Sequence, residues 1–140
     1  MNPELKFSYR VPVRFHDLDA MGHAHHTLPL IYFEEARAAY WREIVGQPAV
    51  QDIDYVLAEF RVQFKQRVLY PATLTVRTGV THVGNASFTM NYQLVDEDGA
   101  VLATGESVQV MFDYERGRSM RMPEDTRSRI EKFEGLDAQP

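Results

Sequence analysis

Residues 7–45 read FSYRVPVRF, HDLDAMGHAHH and TLPLIYFEEARAAYWREIV, and the change of pattern across these three pieces decides the fold. Phe7, Tyr9, Val11, Val13 and Phe15 alternate with Ser8, Arg10, Pro12 and Arg14, the period of two of a half-buried strand. Pro12 has no amide hydrogen to give to a neighbour, which points this strand to a sheet edge. From His16 to His26 the alternation gives way to Asp17, Asp19, Gly22 and four histidines, and little there suits a core, so the segment reads as a loop. Thr27 and Pro29 then open a helix, the threonine oxygen as a cap and the proline tolerated in the first turn. Tyr32, Phe33, Ala36, Ala39, Tyr40 and Ile44 share one broad face, and Gly46 and Pro48 stop the helix after about Val45. Its alanines would let a sheet approach the helix axis closely.

Beyond the helix the period returns to two. Val56, Ala58, Phe60, Val62 and Phe64 alternate with Glu59, Arg61, Gln63 and Lys65, and similar runs follow at 73–83, 86–95 and 101–112. Gly84-Asn85 and Asp96-Glu97-Asp98-Gly99 are the turns between them. Residues 123–133 form a short last helix, with Glu124 and Asp125 at the positive end of its dipole. The order of elements predicts an α+β domain in which five antiparallel strands carry one long helix on a face. With its other face or an edge left uncovered, such a sheet is expected to pair with a copy of itself.

Length and composition agree with this. At 140 residues, 44% apolar and 25% charged, residues 1–140 make one domain with a real core, and disorder is excluded. The formal charge of −5 argues against nucleic acid as a partner. Zero cysteines remove disulfides, thiolate metal sites and cysteine nucleophiles together. No apolar run is long enough for a membrane span, and the cytoplasm is the default location.

Chemistry concentrates in the loop. Two carboxylates and four imidazoles between Arg14 and His26 are dense in acid–base groups, and they sit where a strand passes into a helix. One reading is functional; the other is a polar loop in which Asp17 and Asp19 make turns and the histidines are solvated. A metal site built from His23, His25 and the aspartates is a further alternative. Against it, His25 and His26 are neighbours whose side chains diverge, and no His-x-x-x-His helical pair exists. No metal and no cofactor are therefore expected.

The pattern Arg14-Phe15-x-Asp17-x-Asp19-x-x-Gly22-His23, followed by Tyr32-Phe33-Glu34-x-Ala36-Arg37, resembles the signature of the 4-hydroxybenzoyl-CoA thioesterase family. The similarity continues through Tyr70-Pro71, Gly84 to Phe88, Asp98-Gly99, Gly117-Arg118 and Met122-Pro123. It implies the hot dog fold, a five-stranded antiparallel sheet wrapped around one long central helix, in a homodimer or a tetramer built as a dimer of dimers. It implies an acyl-CoA thioesterase in which the second aspartate of the pair, Asp19, is the catalytic carboxylate, either attacking the thioester or activating water.

By the same resemblance Gly22 lets the backbone approach the thioester, and the amides after it and at the helix start polarise the carbonyl. His26 matches a position where some members place an assisting histidine, with a helix-cap contact as its alternative role; His23 is expected to shape the loop. Asp17, Tyr32, Arg118 and Arg121 are the substrate-side candidates, Asp17 also holding the loop and the two arginines reaching the CoA phosphates. Glu34 and Arg37 are expected in a buried ion pair or a dimer contact. Two departures stand out: Pro29 where many members have an aromatic residue, and Gly84-Asn85-Ala86 where benzoyl-specific relatives have basic residues. A non-catalytic acyl-thioester binder is the rival from another class.

Overall fold

The computed structural model describes residues 4–19, 25–47, 53–70 and 72–136. Each run of alternating residues forms a strand: β1 (Phe7–Pro12), β2 (Tyr55–Phe64), β3 (Thr73–Val83), β4 (Ser87–Val95) and β5 (Val101–Asp113). They pair antiparallel in the order β1-β3-β4-β5-β2, and a two-residue β6 (Arg118–Ser119) folds back on the end of β5. Pro12 ends an edge strand, as its missing donor requires. The predicted turns are present. Gly84 donates its amide to the Ser87 carbonyl at 2.7 Å, and Gly99 takes a φ of 88° after Asp96 has accepted the amides of Asp98 and Ala100.

Helix α1 (Leu28–Tyr40) lies in the concave side of the curled sheet, which is the hot dog arrangement. Close approach comes from both partners. Ala36 and Ala39 are fully buried on the helix, and on β5 Gly105 leaves room for the Phe33 ring, whose Cε2 would stand 2.9 Å from a Cβ at that position. Phe33 stacks on Tyr92 and Phe60, with centroids 4.9 and 6.1 Å away. The inward residues of β4, Phe88, Met90, Tyr92 and Leu94, are buried as the alternation predicts.

Three expectations differ. The helix does not run regularly to Val45: Trp41–Val45 is a π-helical turn that ends at Gly46 with φ 86°. Thr27 stands at the N-cap, but its hydroxyl makes no cap bond. Arg37 is buried without an ion pair to Glu34, which is exposed. Its Nη1 donates to the Tyr92 hydroxyl at 3.1 Å, and its guanidinium lies 5.8 Å from the centroids of Tyr55 and Phe60. Phenol oxygens and ring faces take the place of a carboxylate around this cation.

Helix α2 (Glu124–Glu134) closes the end of the sheet near the π turn. Its Glu134 carboxylate accepts the Tyr40 hydroxyl at 2.7 Å and the Val80 amide at 2.8 Å, where a bulge in β3 between Val80 and His82 shifts the register. No helix among the described residues is long and apolar enough to cross a membrane.

Candidate active site

After β1 the chain makes one 3-10 turn, Phe15–Asp17, and Asp17 ties the loop to everything around it. One carboxylate oxygen, Oδ2, accepts the Arg14 amide at 2.9 Å and the Tyr32 hydroxyl at 3.0 Å. Its backbone carbonyl accepts the amide of His25 at 3.4 Å, which brings the far end of the loop back to its start. Tyr32 is 2% exposed, and burial, with Asp17 beside it, pushes its phenol well above the usual tyrosine range. It therefore stays a donor. The structure gives Asp17 and Tyr32 to the loop; a substrate contact by Tyr32, expected from the sequence, is not supported by this burial.

The second aspartate, Asp19, stands at a cavity. It is half-buried and lines a cavity of about 360 Å³ together with His25, His26, Pro29, Phe64 and the segment 65–68. His26 thus shares a wall with Asp19, and its ring stands edge-on to Phe64 at 6.4 Å. The His25 and His26 rings lie 4.1 Å apart, so these neighbours do not diverge as the sequence suggested. His25 Nδ1 accepts the Thr27 amide at 3.2 Å and lies 2.9 Å from the Thr27 hydroxyl. An amide only donates, so a neutral His25 carries its proton on Nε2.

These contacts alter the expected source of carbonyl polarisation. At the start of α1 the Thr27 amide is spent on His25 Nδ1 and the Leu28 amide on the His25 carbonyl at 3.0 Å, while Pro29 has none. Neither Thr27 nor Leu28 therefore has an amide to spare for a substrate. Gly22, named for that purpose, and His23, expected to shape the loop, lie outside the described residues.

Arg118 and Arg121 are not brought to this cavity within one chain. Arg118 pairs with Asp113 at the end of β5, whereas the cavity segment is bonded to Leu102 at the other end, eleven residues away or about 35 Å of strand. Arg121 is exposed and 3.6 Å from Glu124. The residues that sequence reading missed are Phe64 to Val68, at the point where alternation stops and two cations, Lys65 and Arg67, flank a glutamine. That break in period was the available signal. Among the described residues no group of three His, Asp or Glu side chains is placed to hold a metal ion.

A curled five-stranded sheet around one helix, with an acid–base loop at the helix start, defines a hot dog protein with a candidate hydrolytic site. Residues 13–130 match the thioesterase-like superfamily, and the chain belongs to that family. A thioesterase from Thermus thermophilus, solved with coenzyme A and zinc, is 30% identical and superposes with a TM-score of 0.82, covering 95% of each chain. A predicted thioesterase from Bacillus stearothermophilus is 26% identical with a TM-score of 0.83, covering 90% of this chain and 94% of that one. The uncharacterized protein YsmA of Bacillus subtilis is 26% identical over 124 residues, 89% of this chain and 84% of its own.

Proposed function

We propose that the protein hydrolyses acyl-CoA thioesters to a free acid and CoA, with Asp19 as the reacting carboxylate. The observation that carries the reading is the placing of Asp19 in the wall of a cavity that His25 and His26 also line. Membership of the thioesterase-like superfamily supports thioester hydrolysis, and the CoA bound to the Thermus relative supports CoA as the carrier.

Two routes fit a carboxylate here. In one, an Asp19 oxygen attacks the carbonyl carbon, the C–S bond breaks to release CoA thiolate, and water hydrolyses the mixed anhydride. In the other, Asp19 takes a proton from the water that attacks. Either way negative charge builds on the carbonyl oxygen. The amides after Gly22 are assigned to it, since those of Thr27 and Leu28 are occupied, and His26 is assigned the leaving thiolate. His23 is assigned to shaping the loop.

A second copy of the chain completes the assembly in this reading. Among the described residues β2 has a strand partner on one side only, and it exposes Leu57 and Phe64. A partner is also the route by which Arg118 and Arg121 would reach a CoA phosphate. CoA thioesters are made and used inside cells, which supports a cytoplasmic place of action.

The test is thiol release from a panel of acyl-CoAs by wild type and Asp19→Asn. The near-isosteric change removes the charge, and kcat should fall by at least ~10²-fold with the fold intact. Near wild-type turnover would overturn the assignment of Asp19. Binding of acyl-CoA without release of thiol would establish the non-catalytic alternative. Activity should withstand EDTA; its loss, reversed by added zinc, would move His25 and the aspartates into a metal site.

A further inference from the structure

We infer that Lys65 and Arg67 form an anion subsite for the far end of the acyl group, so that preferred substrates are thioesters of acids bearing a second carboxylate. This rests on the proposed acyl-CoA hydrolysis and concerns its specificity.

Where these side chains stand is fixed by the backbone. The amides of Lys65 and Gln66 both donate to the Leu102 carbonyl, at 2.8 and 3.0 Å, and Val68 just beyond is 4% exposed. Lys65 and Arg67 thus project from a short segment pinned at both ends, and both line the cavity that contains Asp19. Among the described residues neither is neutralised. Lys65 Nζ donates to the uncharged Gln63 at 3.2 Å, and Arg67 makes no ion pair among the described residues. Both are exposed, and the cavity they line carries two cations against one carboxylate, that of Asp19.

Distance selects the anion. Both cations line the same cavity of about 360 Å³ as Asp19, so an anion held by them lies within the span of one small cavity from that carboxylate. The pantetheine arm puts thirteen bonds between the thioester sulfur and the first phosphate, about 15 Å when extended. A carboxylate four or five bonds beyond the thioester carbonyl is about 5–7 Å away. The cavity matches the second separation. Its remaining wall suits the methylenes between: Pro29, Phe64 and Val68 are apolar. A second carboxylate near Asp19 would be repelled, and the two cations offset that repulsion.

The experiment compares adipoyl-CoA with hexanoyl-CoA, equal in length and different in terminal charge, and the pantetheine thioesters of the same acids. Wild type should favour the adipoyl substrate by at least tenfold in kcat/KM. Lys65→Ala and Arg67→Ala should each reduce that ratio by about tenfold, on CoA and pantetheine carriers alike, and Lys65→Arg should restore most of it. Equal losses on both acyl-CoAs, absent from the pantetheine series, would show that the cations hold CoA phosphates and would overturn the inference. So would a ratio near one in wild type. Calorimetry with the monoamide of adipic acid and with hexanamide, in which an uncharged amide stands for the thioester, reads the subsite without turnover: the monoamide should bind at least tenfold more tightly than hexanamide, and Arg67→Ala should abolish the difference. Equal binding of the two amides would overturn the subsite, whereas failure of thioester hydrolysis alone would refute only the catalytic reading.

Discussion

Removing the Asp17 carboxylate tests whether one side chain holds the loop. In Tyr32→Phe the hydroxyl's bond to a charged acceptor is lost while Asp17 keeps the Arg14 amide, a cost of about 1.5 kcal/mol. Asp17→Ala loses both bonds and leaves the Tyr32 hydroxyl, 2% exposed, without that acceptor, a cost of about 3 kcal/mol. In the double variant the buried hydroxyl is absent as well, so the total should stay near 3 kcal/mol rather than the 4.5 of the sum, a coupling of about 1.5 kcal/mol. Urea titrations at constant m read these differences as midpoint shifts. Thiol release on the same samples should fall more in Asp17→Ala than in Tyr32→Phe, because Asp19 lies two residues beyond the tie. Costs that add to within about 0.5 kcal/mol would refute the shared bond, and full activity in Asp17→Ala would refute its role in placing Asp19.

Gly105→Ala should destabilise by about 1–3 kcal/mol through the clash with Phe33, with part of the loss recovered when Phe33→Leu is added; a neutral result in urea would show that the helix is not seated on this glycine. Tyr40 and Tyr92 are almost fully buried, and burial holds both phenols above the ordinary value of 10.0, with Glu134 adding to the effect at Tyr40. The native state then keeps protons that the unfolded chain loses, so their contribution is constant below about pH 10 and stability falls above it, by up to about 1.4 kcal/mol per pH unit for each tyrosine. Unfolding measured between pH 9 and 11 should show a shallower fall in Tyr40→Phe. Sedimentation at micromolar concentration should give a dimer or larger species, and an active monomer would contradict the pairing of β2.

Strand and helix order was legible because each element keeps one period for many residues, and Gly84, Asp96 and Gly99 mark the turns that separate them. Arg37 was not legible. A cation four residues from the inward Phe33 reads as a salt-bridge partner for Glu34, and only the fold brings Tyr55 and Phe60 of β2 and Tyr92 of β4 around it. At the site, the Asp-x-Asp spacing shows two carboxylates but not which one Tyr32 holds, since that bond reaches back fifteen residues. The occupied helix amides were hidden for a similar reason: Thr27 looks like a cap until His25 takes its amide. Lys65 and Arg67 join Asp19 only through the bonds of their segment to Leu102.

Glu134 is synthesised after all six strands, yet it supplies the acceptor for the amide of Val80 in the middle of β3 and for the hydroxyl of Tyr40 on α1. On the ribosome, a nascent chain that has not yet released residue 134 can pair its strands, but both donors must remain with water or go without an acceptor. The π turn and the bulge of β3 then lack the clamp that joins them. Premature termination anywhere in α2 would produce a chain with a complete sheet and a helix whose lower end is unsecured. Such a species would be a target for proteases, although every residue of the candidate site had already been made.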